Sequence, residues 1–537
     1  MRNAGTYDYI IVGAGTAGCL LANRLSADPG VSVLLLEAGG KDDWMWIHIP
    51  VGYLYCINNP RTDWCFQTEP EPGLNGRVLR YPRGKVLGGS SSINAMLYLR
   101  GQARDYDEWA QLTGDPGWAW QNVLPVFMKT EDHWRGADEK HGQGGEWRVE
   151  ATKLRWDVLD SFAAAANESG IPWTDDFNRG DNSGVSRYEV NQKNGVRWNA
   201  SKAFLRPASN RPNLTVLTGA LTKRLRLAGK RVEGVEFLQG NEDAFAGARR
   251  DTILSAGAVG SPQILQLSGI GPGALLHKHG IAVAHDAPVG DNLQDHLQLR
   301  MAFKVKNALT LNTMLGSWAT KARMGLEYAL FRTGPLTMAP SQLGAFVRSD
   351  PSLSTPDLQF HIQPISLDRF GDPPHPFPAI TASVCNLRPS SRGTVRITST
   401  DPRACPSIAP NYLSTEDDRR TAVAALRLAR RIVTGTEAMK KHEPEEFLPG
   451  PAFQSDEDLL KAAGNVGTTI FHPVGTCRMG RDNDPAAVVD TQFRVRGIER
   501  LRVIDASVMP TITSGNTNSP TLMIAERAAG VLLTEKA

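Results

Sequence analysis

The apolar pattern begins with a short run, residues 7–12 (Tyr-Asp-Tyr-Ile-Ile-Val), whose length and β-branched content predict a buried strand. It runs into Gly13-Ala-Gly-Thr-Ala-Gly18 and then a stretch in which Leu20, Leu21 and Leu25 fall on one helical face. A second apolar run, 31–36, predicts another strand and ends at Glu37. Further strand patterns lie at 214–217, 231–237 and 251–257. The last of these feeds a predicted helix with Pro262 in its first turn and Gly269 near its end. An amphipathic helix carrying Val158, Phe162 and Ala165 opens the segment 151–192, which continues into Asp- and Gly-rich turns.

From about 297 to 457 the pattern changes. Leu315, Trp318, Ala319, Ala322, Leu326, Ala329 and Leu330 share one helical face, which predicts core packing. The neighbouring Lys321, Arg323 and Arg332 leave a weak peripheral membrane contact open as a second reading of that helix. Strand-like runs follow at 357–363, 379–384 and 394–398, then a long helix at 419–434. Helix, strands and helix in that order predict a separate module on an antiparallel sheet. His361 stands alone in an alternating strand, and a lone histidine there reads as structural. Near the C-terminus a short strand ends at Asp505, and a helix runs over 521–532.

Bulk properties narrow the function. At 537 residues the chain exceeds one ordinary core. Its 59 basic and 56 acidic residues leave a formal charge of +3, too balanced for a nucleic-acid binder. The six cysteines show no CxxC or other metal spacing, so neither a metal nor a disulfide framework is expected. No 18-residue apolar run appears, and no signal peptide precedes the first strand, which makes a cytoplasmic protein the expectation.

The glycine turn carries candidate chemistry. Gly13 permits the tight turn, Gly15 lets a pyrophosphate approach the backbone, and Gly18 lets helix and strand pack closely. The N–H groups and dipole of the following helix favour an anion, while Glu37 suits ribose hydroxyls. This is a dinucleotide-binding βαβ pattern. A second stretch, 81–94, holds Gly88-Gly-Ser-Ser-Ser92 and Asn94, a backbone of small donors suited to lying against a planar ligand. His472 precedes Pro473 among small and apolar residues, and Asn516 and Asn518 sit at another helix N-terminus.

In this order, these segments resemble the glucose–methanol–choline (GMC) oxidoreductases over essentially the whole chain. The fingerprint with Glu37, the stretch 84–107, the stretch 257–271, Val289-Gly-Asp-Asn-Leu-Gln-Asp-His296 and the His472 and Asn516 blocks carry the resemblance. It implies an α/β fold: a Rossmann-like FAD-binding domain joined to an α+β substrate domain on an antiparallel sheet. The implied FAD domain is discontinuous, over 1–150, 193–296 and 458–537, with 151–192 and 297–457 binding substrate. Implied cofactor contacts are Gly13, Gly15, Thr16, Ala17, Gly18, Glu37 and Ala38 at the nucleotide end. Along the isoalloxazine they are Val86, Gly89, Ser91, Asn94, Ala95, Met96 and Leu97. Thr222 is implied at the adenine, Asp505 and Ala506 at the ribityl–phosphate end, and Asn516 and Thr517 beside the ring.

Some relatives attach FAD through a histidine before the signature asparagine; Ile93 occupies that position here, implying non-covalent FAD. The resemblance also implies oxidation of a primary alcohol to an aldehyde, with His472 as base and Asn516 steadying the oxygen. Flavin N5 would take the hydride, and a quinone-type acceptor or O2 would reoxidise the flavin. The residues read closest to bacterial alcohol, choline and polyethylene-glycol dehydrogenases. Alternatives are a choline dehydrogenase or a flavin-containing lyase of the hydroxynitrile type.

Overall fold

The computed structural model describes residues 1–369 and 371–535. Tyr9–Val12 and Val33–Leu36 pair in parallel, Tyr9 opposite Val33 through Val12 opposite Leu36. They lie inside a five-stranded sheet ordered Leu214–Leu217, Val33–Leu36, Tyr9–Val12, Thr252–Leu254 and Leu501–Val503, all parallel. Parallel strands covered by helices are dry on both faces, hence their uninterrupted apolar runs. Ile10, Ile11, Leu34 and Leu35 are fully buried, each contributing about 1.5–3 kcal/mol. The helices Thr16–Leu25 and Asn518–Thr534 share this core. A four-stranded sheet, Arg2–Tyr7, Glu242–Ala248, Arg231–Gln239 and Ala220–Ala228, lies beside it.

The helix after Thr252–Leu254 starts earlier than its sequence suggests. It spans Gly257–Leu267, so Pro262 falls inside it rather than in its first turn. The missing proline N–H would leave the Ala258 carbonyl without its helical donor. Thr476 Oγ1 supplies that hydrogen bond instead, at 2.7 Å, so the helix continues through the proline.

The second sheet is antiparallel and seven-stranded. Its order is Glu445–Leu448, Leu297–Lys304, Ala379–Asn386, Leu358–Gln363, Leu343–Val347 and Gly184–Arg187, with Gly467–Thr469 also paired to Leu297–Lys304. The helices Asp157–Glu168 and Glu416–Thr434 bury their apolar faces in the same core, together with Ile49, Tyr53, Leu74 and Leu79. Thr394–Arg396 stays outside this sheet and pairs with Ser407–Ala409. The fold class is therefore the expected one, a Rossmann-like α/β unit joined to an α+β unit on an antiparallel sheet.

One expectation fails in an informative way. The helix Trp318–Phe331 turns its supposed core face to solvent: Trp318 is 82% exposed, Leu326 62% and Leu330 64%. Its inward residues are Met324 and Tyr328, the latter donating its hydroxyl to the Gly195 carbonyl at 3.0 Å. Periodicity marks an apolar face but not what covers it.

A buried ionic network ties the 98–100 segment to the loops around 141 and 176. Arg100 donates to Glu131 at 2.8 Å, with both side chains wholly buried. His141 bridges Glu131, at 3.2 Å from Nδ1, and Asp176, at 2.7 Å from Nε2. His133 stacks on His141 at 3.8 Å and bonds Glu189 at 3.0 Å. Despite burial, which opposes its charge, the carboxylates of Asp176 and Glu131 raise the His141 pKa from 6.5 to about 9. The stabilisation is full below 6.5, where the unfolded chain is also protonated, and disappears as pH rises through 9. The difference is about 3 kcal/mol. Urea unfolding should show stability falling over that interval, and His141→Gln should flatten this fall.

Candidate active site

Between the two sheets lies a long cavity. Three helix N-termini open onto it: Gly15 to Ala17 and Ala256 to Ala258 at one end, and Thr517 with Asn518 farther along, next to Asn516. Thr16 Oγ1 donates to Asn518 Oδ1 at 2.7 Å, tying two of these ends together. Free N–H groups and helix dipoles pointing into one space suit the two charges of a pyrophosphate. Gly18 lies behind this wall, where a Cβ would meet the Gly13 carbonyl oxygen at 1.9 Å. Gly89 lies against Gly15, and a Cβ there would meet the Gly15 Cα at 2.7 Å. The backbone is shaped as a cradle that side chains would fill.

Glu37 also faces the cavity, with its carboxylate accepting the Ala14 N–H at 2.9 Å and the Gly39 N–H at 2.8 Å. Burial raises its pKa to about 7. Asp505 accepts from Gly257 N–H at 2.9 Å and Ser261 Oγ at 2.6 Å, fixing the start of the Gly257–Leu267 helix. Ala38, Gly89, Asn94, Ala95, Met96, Leu97, Thr222 and Ala506 line the cavity as well. Val86 and Ser91 do not. Val86 packs with Ile47, Cys56 and Ile93, while Ser91 Oγ donates to the Gly88 carbonyl and accepts from Ala200 N–H. Thr222 Oγ1 and Asn518 Nδ2 are buried with no hydrogen-bond partner among the described residues, the condition expected of atoms that wait for a ligand.

At the other end His472 is 7% exposed and Asn516 is 9% exposed. His472 Nε2 lies 3.0 Å from Asn516 Nδ2, and its Nδ1 lies 3.0 Å from Nδ1 of His296. Burial, then the neighbouring His296, His361 and Arg83, holds the His472 pKa well below 6.5, so the imidazole is neutral. The preceding Phe471 has φ +73°, a left-handed conformation costly for an aromatic residue. Its N–H donates to Thr469 Oγ1 at 2.8 Å and its carbonyl accepts from Arg83 at 2.6 Å. The His472 N–H is held by Asp295 Oδ1 at 2.8 Å. The other oxygen of Asp295 accepts from Thr469 and Tyr412, both at 2.6 Å. These bonds over-determine the strained turn that aims His472 into the cavity.

Sequence reasoning missed part of this wall. His361 is not a satisfied structural histidine: it is 1% exposed, faces the cavity, and its Nε2 is unpartnered among the described residues. Strand alternation sends Gln359, His361 and Gln363 to one face, and that face meets the cavity rather than the core. His361 and Gln363 line it directly; Gln359 reaches Asn516 at 3.4 Å. Trp64 and Phe66, which resemble ordinary core aromatics in sequence, line the cavity as a stacked pair 5.5 Å apart. Asp295 and His296 sit in the motif at 289–296, where their crowding among polar residues was the available signal.

A dinucleotide cradle facing a buried neutral histidine suits hydride removal from a CH–OH donor, and the family to which the chain belongs makes it a flavin-dependent oxidoreductase with FAD as cofactor. The chain belongs to the GMC oxidoreductases, matching the family's N-terminal part over residues 7–298 and its C-terminal part over 389–525. It is 43% identical over 532 residues to an alcohol dehydrogenase (acceptor) of Pseudomonas putida, covering 98% of this chain and 96% of that one. An oxygen-dependent choline dehydrogenase of Photobacterium profundum is 42% identical over 531 residues, covering 98% and 93%. Among solved structures, pyridoxine 4-oxidase from Mesorbium loti superposes with a TM-score of 0.88 at 32% identity, covering 98% and 99%.

Asp295→Asn would present an amide where three donors need a carboxylate. Each hydrogen bond to a charged group is worth about 1.5–3 kcal/mol. The expected outcome is a lower melting temperature, and kcat reduced by about tenfold or more with FAD still bound. Thermal scans and turnover of the loaded variant measure the two effects.

Proposed function

We propose that this protein oxidises a neutral primary alcohol to the aldehyde and passes the electrons to a quinone-type acceptor or O2. The observation that carries this reading is the neutral His472 Nε2 facing Asn516 Nδ2 at 3.0 Å inside a cavity shaped for a dinucleotide. Bound FAD supplies the hydride acceptor. His472 Nε2 takes the hydroxyl proton as the C–H bond breaks, because developing alkoxide charge drives that cleavage. Asn516 Nδ2 donates to the substrate oxygen, stabilising that charge in a buried site. The wall on the antiparallel-sheet side offers Gln298, Ser341, His361 and Gln363, which are polar but uncharged. The lining carboxylates, Glu37 and Asp505, belong to the nucleotide end, which favours a neutral alcohol over a quaternary ammonium. The choline dehydrogenase reading rests on the relative named above.

For the cofactor we propose Gly13, Gly15, Thr16, Ala17, Glu37 and Ala38 at the pyrophosphate and ribose, and Gly89, Asn94 to Leu97 and Thr517 along the ring. Thr222 meets the adenine, and Asp505 and Ala506 the ribityl–phosphate end. FAD is held without a covalent bond, since Ile93 offers no nucleophilic atom beside Asn94. The flavin unit comprises 1–150, 193–296 and 458–537, and the substrate unit 151–192 and 297–457. Lys536 and Ala537 lie outside the described residues. Two separate apolar cores favour two units, although residues 49–53, 74–79 and 459–463 and the strand Gly467–Thr469, assigned by these bounds to the flavin unit, pack with the second core and sheet.

Anaerobic titration with an alcohol panel should bleach the flavin absorbance with one neutral class, and choline should leave it unchanged. Bleaching by choline alone would assign the second reading, and no bleaching by any alcohol would overturn both. His472→Ala should slow flavin reduction about 10²–10⁴-fold while FAD stays bound.

We also propose that the protein is cytoplasmic and rests on an anionic lipid surface through the Trp318–Phe331 helix. Leu309, Trp318, Leu326, Leu330 and Phe331 are each at least 62% exposed, and Lys321, Arg323 and Arg332 flank them against one Glu327. This is the composition of an interfacial helix, apolar on one side with cations to meet lipid phosphates. Among the described residues no helix is long and apolar enough to cross a membrane. The wild-type protein should sediment with phosphatidylglycerol vesicles, and Trp318→Asp with Leu330→Asp should abolish this without altering FAD content. A dimer dissociated by the same substitutions would assign the face to a second copy instead.

A further inference from the structure

Two hydrogen-bond chains end on the two nitrogens of His472, and each starts at a backbone carbonyl, which can only accept. The first starts at Leu387. Its carbonyl lies 3.1 Å from His296 Nε2, so that nitrogen carries a proton. Burial keeps the His296 pKa down, at about 4, so the ring is neutral and its Nδ1 is bare. His472 Nδ1, 3.0 Å away, must then be the donor.

The second chain starts at Phe360. Its carbonyl accepts the Tyr188 hydroxyl at 2.6 Å, which commits that proton and leaves the Tyr188 oxygen as an acceptor. Gln359 Nε2 donates to this oxygen at 3.0 Å, and the same nitrogen reaches Asn516 Oδ1 at 3.4 Å. The Asn516 amide is thereby oriented with Nδ2 toward His472, so His472 Nε2 must accept. Both chains require the same tautomer, with the proton on Nδ1 and a bare Nε2.

We propose that His296 is a positioning residue that fixes His472 as the Nδ1–H tautomer, with Tyr188 and Gln359 enforcing the same state through Asn516. An imidazole of the other tautomer would present an N–H to the substrate hydroxyl and could not take its proton. The role of His296 is thus to keep the basic lone pair on the cavity side before substrate arrives. Both anchoring carbonyls belong to the antiparallel-sheet half of the molecule, whereas Asn516 sits at the N-terminus of the Asn518–Thr534 helix on the parallel sheet. The tautomer therefore depends on how the two halves meet. This inference rests on His472 being the base.

The test uses the FAD-loaded protein labelled with ¹⁵N-histidine, the His472 signals being assigned by their loss in His472→Gln. Wild-type His472 should show a protonated Nδ1 and a bare Nε2; a protonated Nε2 would overturn the proposal with no reference to turnover. His296→Leu, which can neither accept nor donate, should mix the two tautomers and slow anaerobic flavin reduction about 10²-fold. His296→Asn, whose Oδ1 can accept from His472 Nδ1, should recover most of that loss. Tyr188→Phe frees the Gln359 amide to turn and should slow reduction several-fold with unchanged FAD content. Unchanged tautomer and rate in His296→Leu would overturn the role of His296. Failure of the base itself would appear separately, as near-normal reduction in His472→Ala.

Discussion

Close backbone approach in the glycine-rich turns is the constraint on which the rest of the structure depends. Gly18 lets the first helix lie against Gly13, and Gly89 brings the 84–97 loop onto Gly15 with no room for a side chain between them. Because these contacts are backbone to backbone, they fix the helix N-terminus and the loop relative to each other. A cavity wall results that is made of N–H groups and small side chains, shaped for a flat, anionic cofactor. Met96, at φ +62°, and Phe471, at φ +73°, then carry strain at the edge of the same cavity. Such strain persists only where surrounding bonds over-determine it. Asn94 accepting from Met96, and Arg83, Thr469 and Asp295 around Phe471 and His472, do so here.

The chemistry is assembled from segments far apart in sequence. His296, Gln359, Leu387, His472 and Asn516 come together only because the antiparallel sheet closes over the carboxyl ends of the parallel one. Crevices at the carboxyl ends of such strands are where open α/β sheets bind ligands. Burial then removes charge from the histidines, and the carbonyls at Leu387 and Phe360 decide which nitrogens hold protons. In the reaction proposed above, proton removal would fall to a neutral, oriented histidine in a buried site.

Away from the cavity, the fold buries one paired charge network and leaves one apolar face uncovered. The His141 network holds four charged groups inside the fold, each facing an opposite one. The Trp318–Phe331 helix does the reverse, presenting tryptophan, leucine and phenylalanine to solvent beside three cations. That uncovered face is the reason the proposed lipid contact is placed on this helix.

The dinucleotide turn, several of the strands and the existence of an antiparallel module were legible in the sequence, because each shows as a local pattern. Gly13, Gly15 and Gly18 at fixed spacing admit few other uses, and strand periodicity reports on neighbours within a few residues. The polar block at 289–296 was legible as a block, while the partners of Asp295 and His296 were not. What the sequence could not decide is which surface an apolar or polar face meets. The face led by Trp318 repeats like a core face, yet Met324 and Tyr328 take the inward side, packed in the second apolar core with the Tyr328 hydroxyl on the Gly195 carbonyl. The strand holding His361 alternates like any half-buried strand, but the cavity, rather than core or water, lies on its polar side. Pro262 entered a helix interior because Thr476, more than two hundred residues away, satisfied the carbonyl it freed. In each case the deciding partner is remote in the chain, so only the folded structure brings it within the 3 Å over which hydrogen bonds act.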